Sequence, residues 1–309
     1  MRLMVVTTCT DRKRYAVPPE LDATSLPADR QASVAHEWRR RVSAAPNAGL
    51  AAQVYCGRSF QEAILAARAG RAELRIISGG LGLIRSDEAI PSYSLSLVRQ
   101  SREFVGSRVL DAPFRAPEWW SSVQKAGRAP MAEVVRANPT AIAVIGISST
   151  YLSLVADDLA SLGDNDIDRI RLIGMGIEKA CPRRLQPYIL PYNDRLDGRD
   201  SPIRGTRGDF ASRAVRHFIQ HVLCDQELGS IETHQAAVNR YLSNWQRPKT
   251  ISRPSKTDAE IIALIKKNWN AIDGQSSKGL RYLRDVEEIA CEQSRFRALF
   301  SRAAEEVRS

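Results

Sequence analysis

The sequence predicts an α/β protein: a three-layer sandwich around a central, mostly parallel sheet of four to five strands, with a C-terminal helical region of helix-turn-helix character. Three observations predict it. Short apolar runs bounded by glycine or polar residues recur at residues 3–6, 74–77, 141–147 and 170–173, the pattern of strands buried on both faces. Helical periodicity fills the intervals between them. The second run opens straight into Ser78-Gly79-Gly80-Leu81-Gly82, and glycine after a buried strand marks where an open α/β sheet brings backbone close to a ligand.

Taken in order, the first strand, 3–6, ends in a polar loop through Cys9, Thr10, Asp11 and Lys13. A helix is expected over 31–44. In the next, over 59–69, Ser59 and Glu62 have the spacing of a capping box, and Phe60, Ala63, Ile64 and Ala67 share one face. Strand 74–77 leads into the glycine loop, which reads as one connection running past the acidic pair Asp87-Glu88 to Tyr93. Helices over 117–126 and 131–137 precede strand 141–147, a helix over 150–162 precedes strand 170–173, and a fifth short strand is expected near 188–190. Asp209 is placed to cap a helix over 210–223, and Ser230 one over 231–245.

Residues 246–256 set Pro248 and Pro254 among Arg247, Lys249, Arg253 and Lys256, and read as a basic linker between a main domain, 1–245, and a helical region, 257–309. There Thr257 and Glu260 form a capping box that opens a helix over 258–269. Asp273-Gly274 then turn the chain into one long helix burying Leu280, Leu283, Val286, Ile289 and Ala290. Lys278, Arg281 and Arg284 near its start suit phosphate contacts; the plainer reading is a helical hairpin capping the main domain.

Charge narrows the partners. The 309 residues carry a net charge of +10, and of the 45 basic residues only eight are lysines. Guanidinium forks suit phosphates and base edges, so double-stranded DNA is the expected polyanion, although a GC-rich genome also encodes arginine readily. The five cysteines, Cys9, Cys56, Cys181, Cys224 and Cys291, are odd in number and lack C-x-x-C spacing, which argues against a disulfide framework and a zinc ribbon. His217 and His221 stand four apart without a third ligand and read as a solvated basic face beside Arg213 and Arg216. No metal, cofactor or obligate protein partner is expected. The opening apolar run is too short for a signal peptide and no stretch reaches the length of a membrane span, so a cytoplasmic protein is expected. Trp119 and Trp120, adjacent on a helix, are expected to bury one ring and half-bury the other.

Several segments resemble a known family. Gly82-Leu83-Ile84-Arg85, the acid at Asp87 or Glu88, and Tyr93-Ser94-Leu95 resemble the signature of the YaaA peroxide-stress proteins and their bacterial relatives. Cys9-Thr10 with Lys13 resembles the cysteine-hydroxyl-x-x-lysine opening of those relatives, and residues 55–60, beginning at Tyr55, resemble their tyrosine-containing segment before a helix. The likeness spans roughly the first third of the chain and departs at Gly80, where an aromatic is usual, and at Ser86, where proline is. It implies a core related to that of the uracil-DNA glycosylases, and DNA binding. The nearest activity it suggests is that of phage-defence DNA glycosylases, which remove glucosylated hydroxymethylcytosine from T-even phage DNA. By the same likeness, Asp11 falls where uracil-DNA glycosylases carry a water-positioning aspartate.

If the four main strands are parallel, the loops after them, 7–14, 78–93, 146–150 and 174–176, converge, with 191–209 nearby. Cleaving an N-glycosidic bond passes through an oxocarbenium-like sugar, so a carboxylate or amide must lie beneath it and position water. Asp87 is the first candidate, followed by its neighbour Glu88, then Asp11, Asn193, Asp194 and Asp209. Tyr93 is the expected face for an extruded base. Cys9, Thr10, Lys13, Tyr55, Ser78, Gly79, Gly80, Ser148, Arg204 and Thr206 complete the expected substrate site, with Cys9 read as a buried thiol rather than a nucleophile and Ser148 equally readable as a helix cap. Arg12, Arg14 and Arg207 join Lys278, Arg281 and Arg284 as expected DNA contacts. A single lysine, Lys13, in these loops argues for base removal without strand scission. Two other readings fit the same residues: a non-catalytic DNA-binding stress protein, and an enzyme acting on free nucleosides or RNA bases.

Overall fold

The structure, a computed structural model, describes residues 2–111, 113–124, 128–223, 229–248 and 253–308. Its centre is β1 (Arg2–Thr8), flanked in parallel by β3 (Glu73–Ser78) and β6 (Ala141–Gly146) in register Val5↔Leu74 and Val5↔Val144. Outside β6 lies β7 (Ile170–Ile173), also parallel, and outside β3 lies β4 (Gly82–Arg85), antiparallel, giving a five-stranded sheet ordered β4-β3-β1-β6-β7.

Alternation along β1 sorts its side chains between two layers. Met4 and Val6 pack with Val34 and Trp38 of α1 (Gln31–Ala44), Trp119 of α4 (Ala116–Val123), Met131 of α5 (Met131–Ala137) and Leu152 of α6 (Ser149–Ala160). Val5 packs on the other face, with Ala63 and Ala66 of α3 (Arg58–Ala69), Phe210 and Ala214 of α8 (Phe210–His217), and Val238 of α9 (Ile231–Ser243). The result is the expected three layers. Short pieces fill the connections: β2 (Gly49–Leu50) pairs with β5 (Ala89–Ile90), and α2 (Ala51–Val54) and α7 (Asp164–Ile167) are single turns.

Three expectations for the sheet and its connections need correcting. Residues 78–93 are not one open loop: three residues after β3 turn the chain back into β4, whose Leu83 and Ile84 are buried against Ile77 and Ile76. The strand expected near 188–190 is a single parallel bridge, Leu172↔Ile189. The capping box expected at Ser59 and Glu62 does not form; α3 begins at Arg58 behind Gly57 (φ +102°), and Ser59 and Glu62 turn instead to Ser212 and Arg216.

The chain divides into two compact units, Met1–Pro248 and Lys249–Ser309, within the expected linker. The second unit holds α10 (Asp258–Lys267), α11 (Ser276–Asp285) and α12 (Gln293–Arg308) around Ile261, Ile265, Leu283, Phe296 and Phe300. Thr257 and Glu260 form the expected capping box. The expected long helix ends at Asp285, because Val286 stands 61% exposed and Glu288 takes φ +53°, so Ile289 reaches the core from a loop. Among the described residues no helix is long and apolar enough to cross a membrane.

Candidate functional site

Because β1, β3, β6 and β7 are parallel, their carboxyl ends share one edge of the sheet, and the chain leaving β1 becomes its centre. Cys9 extends the ladder by one bond, its N–H donating to Ile77 O at 3.0 Å. The loop then docks on the segment before α3. Thr10 Oγ1 donates to Cys56 O at 2.9 Å, Cys56 N donates to Arg12 O at 3.2 Å, and Lys13 pairs with Tyr55 in an isolated bridge. From α6, Tyr151 brings its hydroxyl to 3.0 Å from Cys9 Sγ. Loops after β1 and β6 and the start of α3 therefore meet, as the topology requires.

Beneath them lies a buried hydroxyl triad. Tyr93 OH is 2.6 Å from Ser78 Oγ and 2.8 Å from Tyr55 OH, and Ser78 Oγ also accepts from Leu81 N at 3.0 Å. All three residues are fully buried. Burial raises the phenols of Tyr55 and Tyr93 well above their ordinary range, so both act as neutral hydroxyls. Lys13 covers the triad: its ammonium donates to Thr10 O at 2.7 Å and lies 4.6 Å from the Tyr93 ring centroid and 5.5 Å from that of Tyr55. Burial lowers the Lys13 pKa, against smaller opposing effects of Cys9, Asp11 and Cys56.

A second polar cluster adjoins on the α3/α8 side. Ser212 Oγ lies 3.1 Å from Ser59 Oγ and 3.4 Å from Thr7 Oγ1. Next to it Arg213, with 0% side-chain exposure, pairs with Asp197 at 2.6 Å and Asp209 at 2.5 Å and also donates to Ile203 O and Thr206 O. One guanidinium thus fixes the loop that carries Arg204, Thr206 and Arg207. A Cβ on Gly205 would stand 2.2 Å from Arg213 Nε, so glycine is what lets the loop close over that group. Arg58 ties the loop to α3, pairing with Asp209 at 3.2 Å and donating to Arg204 O.

The structure brings Cys9, Thr10, Asp11, Lys13, Tyr55, Ser78 and Tyr93 into one neighbourhood and separates others from it. Asp87 is the main correction. It follows β4, which runs back toward the amino end of β3, so it sits by Arg85 and Arg75 at the opposite edge of the sheet, 59% exposed and paired with Arg85 at 2.5 Å. Glu88 lies beyond it, with Ala51 N donating to its carbonyl and Arg128 holding its carboxylate. The glycine turn offers no cradle: Ser78, Gly79, Gly80 and Leu81 are all buried, Trp119 Nε1 donates to Gly79 O and Trp38 Nε1 to Gly80 O, both at 2.7 Å. A Cβ on Gly80 would meet Tyr93 at 2.9 Å and Trp38 at 3.1 Å, so these glycines admit core aromatic rings. Tyr93 is no open platform either, being 0% exposed with Lys13 over its face and Trp38 against its edge.

The remaining candidates have definite partners. Asn193 Oδ1 accepts from Arg195 N, and Asp194 pairs with Arg247 at 3.6 Å. Ser148 is the N-cap of α6 by position, exposed and without a capping side-chain bond. Arg12, Arg14, Arg204 and Arg207 are exposed. In the second unit Arg281 is exposed, Lys278 pairs with Asp273, and Arg284 donates to Cys291 O at 2.8 Å. Cys9 is buried, as expected. The His217 face is not solvated: Arg213 and His217 are buried, and His217 accepts or donates at 2.8 Å to Tyr192 OH among His221, Tyr241 and Trp245. Both Trp119 and Trp120 are buried.

Sequence reasoning missed Tyr151, Arg58, Ser59 and Ser212. A tyrosine one turn after the Ile147-Ser148 strand end was a visible signal for the first; for Ser212 no local pattern announced a partner in β1. No protein-family model, curated protein sequence or solved structure matches this chain.

Proposed function

We propose that the chain hydrolyses the N-glycosidic bond of a modified base in double-stranded DNA, leaving an abasic site, with Asp11 orienting the attacking water. Glucosylated hydroxymethylcytosine of phage DNA, and antiviral defence in the cytoplasm, are the substrate and setting that the family resemblance suggests. One observation carries the assignment of the acid. A carboxylate that positions water needs uncommitted lone pairs, and Asp87, Glu88, Asp194 and Asp209 are held in ion pairs while Asn193 caps a turn. Asp11 is exposed at the carboxyl edge of the sheet, and among the described residues no ion pair or hydrogen bond engages its carboxylate.

The surroundings fit that role. Arg12, Arg14, Arg204 and Arg207 are exposed on the loops around this edge, suited to phosphates on either side of an extruded nucleotide. The exposed Ser148 and Ser149 at the start of α6 add hydroxyls and helix N–H donors. Separately from this site, the exposed Arg281 of the second unit is suited to a phosphate contact. The decisive experiment incubates the protein with T-even phage DNA and with unmodified DNA and counts abasic sites with an aldehyde-reactive probe. Abasic sites in the modified DNA are expected; folded protein that yields none in either DNA refutes the proposal.

A further inference from the structure

We propose that Lys13 captures the C1′ aldehyde of an abasic deoxyribose as an imine and that this site thereby cleaves the DNA strand after base removal. The inference rests on the base-excision reading for its substrate and reverses the expectation of base removal alone, which was drawn only from the scarcity of lysines. What the lysine count does not reveal is where the one loop lysine stands. Its Nζ is held by Thr10 O at 2.7 Å above the buried Tyr93 and Tyr55 rings, in the loop that also carries Asp11.

That position suits a nucleophile better than a phosphate ligand. A phosphate-binding lysine reaches outward as a hydrated point charge, whereas Lys13 Nζ lies over the Tyr93 and Tyr55 rings, 4.6 and 5.5 Å from their centroids, and gives up much of its water. Desolvation favours the neutral amine, which is the attacking form, and the direction of the Lys13 shift agrees. The Tyr55-Tyr93-Ser78 triad acts as a positioning group, because its mutual hydrogen bonds lock the two rings beneath the amine.

The chemistry balances without an oxidant or reductant. The Lys13 lone pair forms a bond to C1′ of the ring-opened sugar, the aldehyde oxygen leaves as water with the two amine hydrogens, and a proton from solvent stays on the nitrogen, giving a protonated imine. This withdraws electrons from C2′, where the Asp11 carboxylate takes a proton. The electron pair becomes the C2′–C3′ double bond, the C3′–O bond breaks, and the phosphate departs with its electrons. Water then hydrolyses the imine and frees Lys13.

The test uses the full chain and a duplex oligonucleotide carrying one preformed abasic site, so base release is not needed. Sodium cyanoborohydride converts an imine into a stable adduct, read on a denaturing gel and located by peptide mass mapping. The expected results are an adduct on Lys13, strand cleavage without the reductant, and loss of both in Lys13→Arg, which keeps the charge and a donor to Thr10 O. Circular dichroism verifies that the variant is folded. No adduct with folded wild-type protein, an adduct on another amine, or undiminished cleavage by Lys13→Arg would each overturn the proposal. Base release from phage DNA without an adduct removes this step alone; an adduct without base release removes only the glycosylase reading.

Discussion

Replacing Gly80 with alanine separates a glycine turn that cradles a ligand from one that packs a core. The new methyl would stand 2.9 Å from Tyr93 Cε2, 3.1 Å from Trp38 Cζ2 and 3.2 Å from Trp38 Nε1, and all of these belong to buried rings fixed by hydrogen bonds. Overpacking of this kind costs roughly 1–3 kcal/mol. Gly80 is not among the glycines with positive φ, so alanine regains roughly 0.4–1 kcal/mol by restricting the unfolded chain. The middle of the two ranges leaves a net loss of about 1.3 kcal/mol, a fall in Tm of roughly 3–5 °C for a unit of this size. Gly208→Ala is the control, since only Thr206 Oγ1, at 3.8 Å, lies near its added Cβ and its φ is unstrained; its Tm should hold or rise slightly. Thermal unfolding followed by circular dichroism reads both variants. A Gly80→Ala protein with an unchanged or higher Tm would refute the packing role.

Other expectations follow from the same contacts. Arg213→Met takes one of two cationic partners from the buried Asp209 carboxylate, leaving Arg58, and frees the loop it clamps, so a loss of about 3 kcal/mol in urea unfolding, the low end for breaking a buried pair, and faster proteolysis within 197–209 are expected. Tyr93→Phe removes the hydroxyl shared by Tyr55 and Ser78 and should lower stability by about 1–3 kcal/mol while keeping the ring under Lys13. Burial, aided by His221, holds the His217 pKa down to about 4, so the unfolded chain binds a proton there that the folded protein refuses. Its contribution is complete above pH 6.5 and is lost as the pH falls toward 4, by a total of about 3 kcal/mol; unfolding free energies measured across that range should fall by about that much more in wild type than in His217→Asn, whose remaining slope comes from other groups.

The sheet was legible because its strands are buried on both faces and each writes an uninterrupted apolar run, as in the six buried residues of β6. Leu83-Ile84 is equally apolar, yet the glycines before it read in sequence as a ligand cradle rather than a hairpin turn, which hides the strand. That one omission carried Asp87 to the wrong end of the sheet, since an added antiparallel strand returns the chain to the amino end of β3 before Asp87 is reached. Around the site, Cys9, Thr10 and Lys13 were legible from their place after β1. Their partners were not: Tyr151 lies 142 residues from Cys9, and Ser212 lies 205 residues from Thr7. The polar face assigned to α8 failed for a related reason, because Arg213 and His217 are buried by groups far away in sequence, Asp197 and Trp245 among them.

The placement of the functional centre at the carboxyl edge of β1 is tested most directly by comparing two isosteric variants in the abasic-site assay on modified phage DNA. Asp11→Asn should lower the rate of base release by roughly 10²- to 10⁴-fold, the usual contribution of a general base, whereas Asp87→Asn, altered at the far edge, should match wild type. Full activity in Asp11→Asn together with loss of activity in a folded Asp87→Asn protein would contradict that placement.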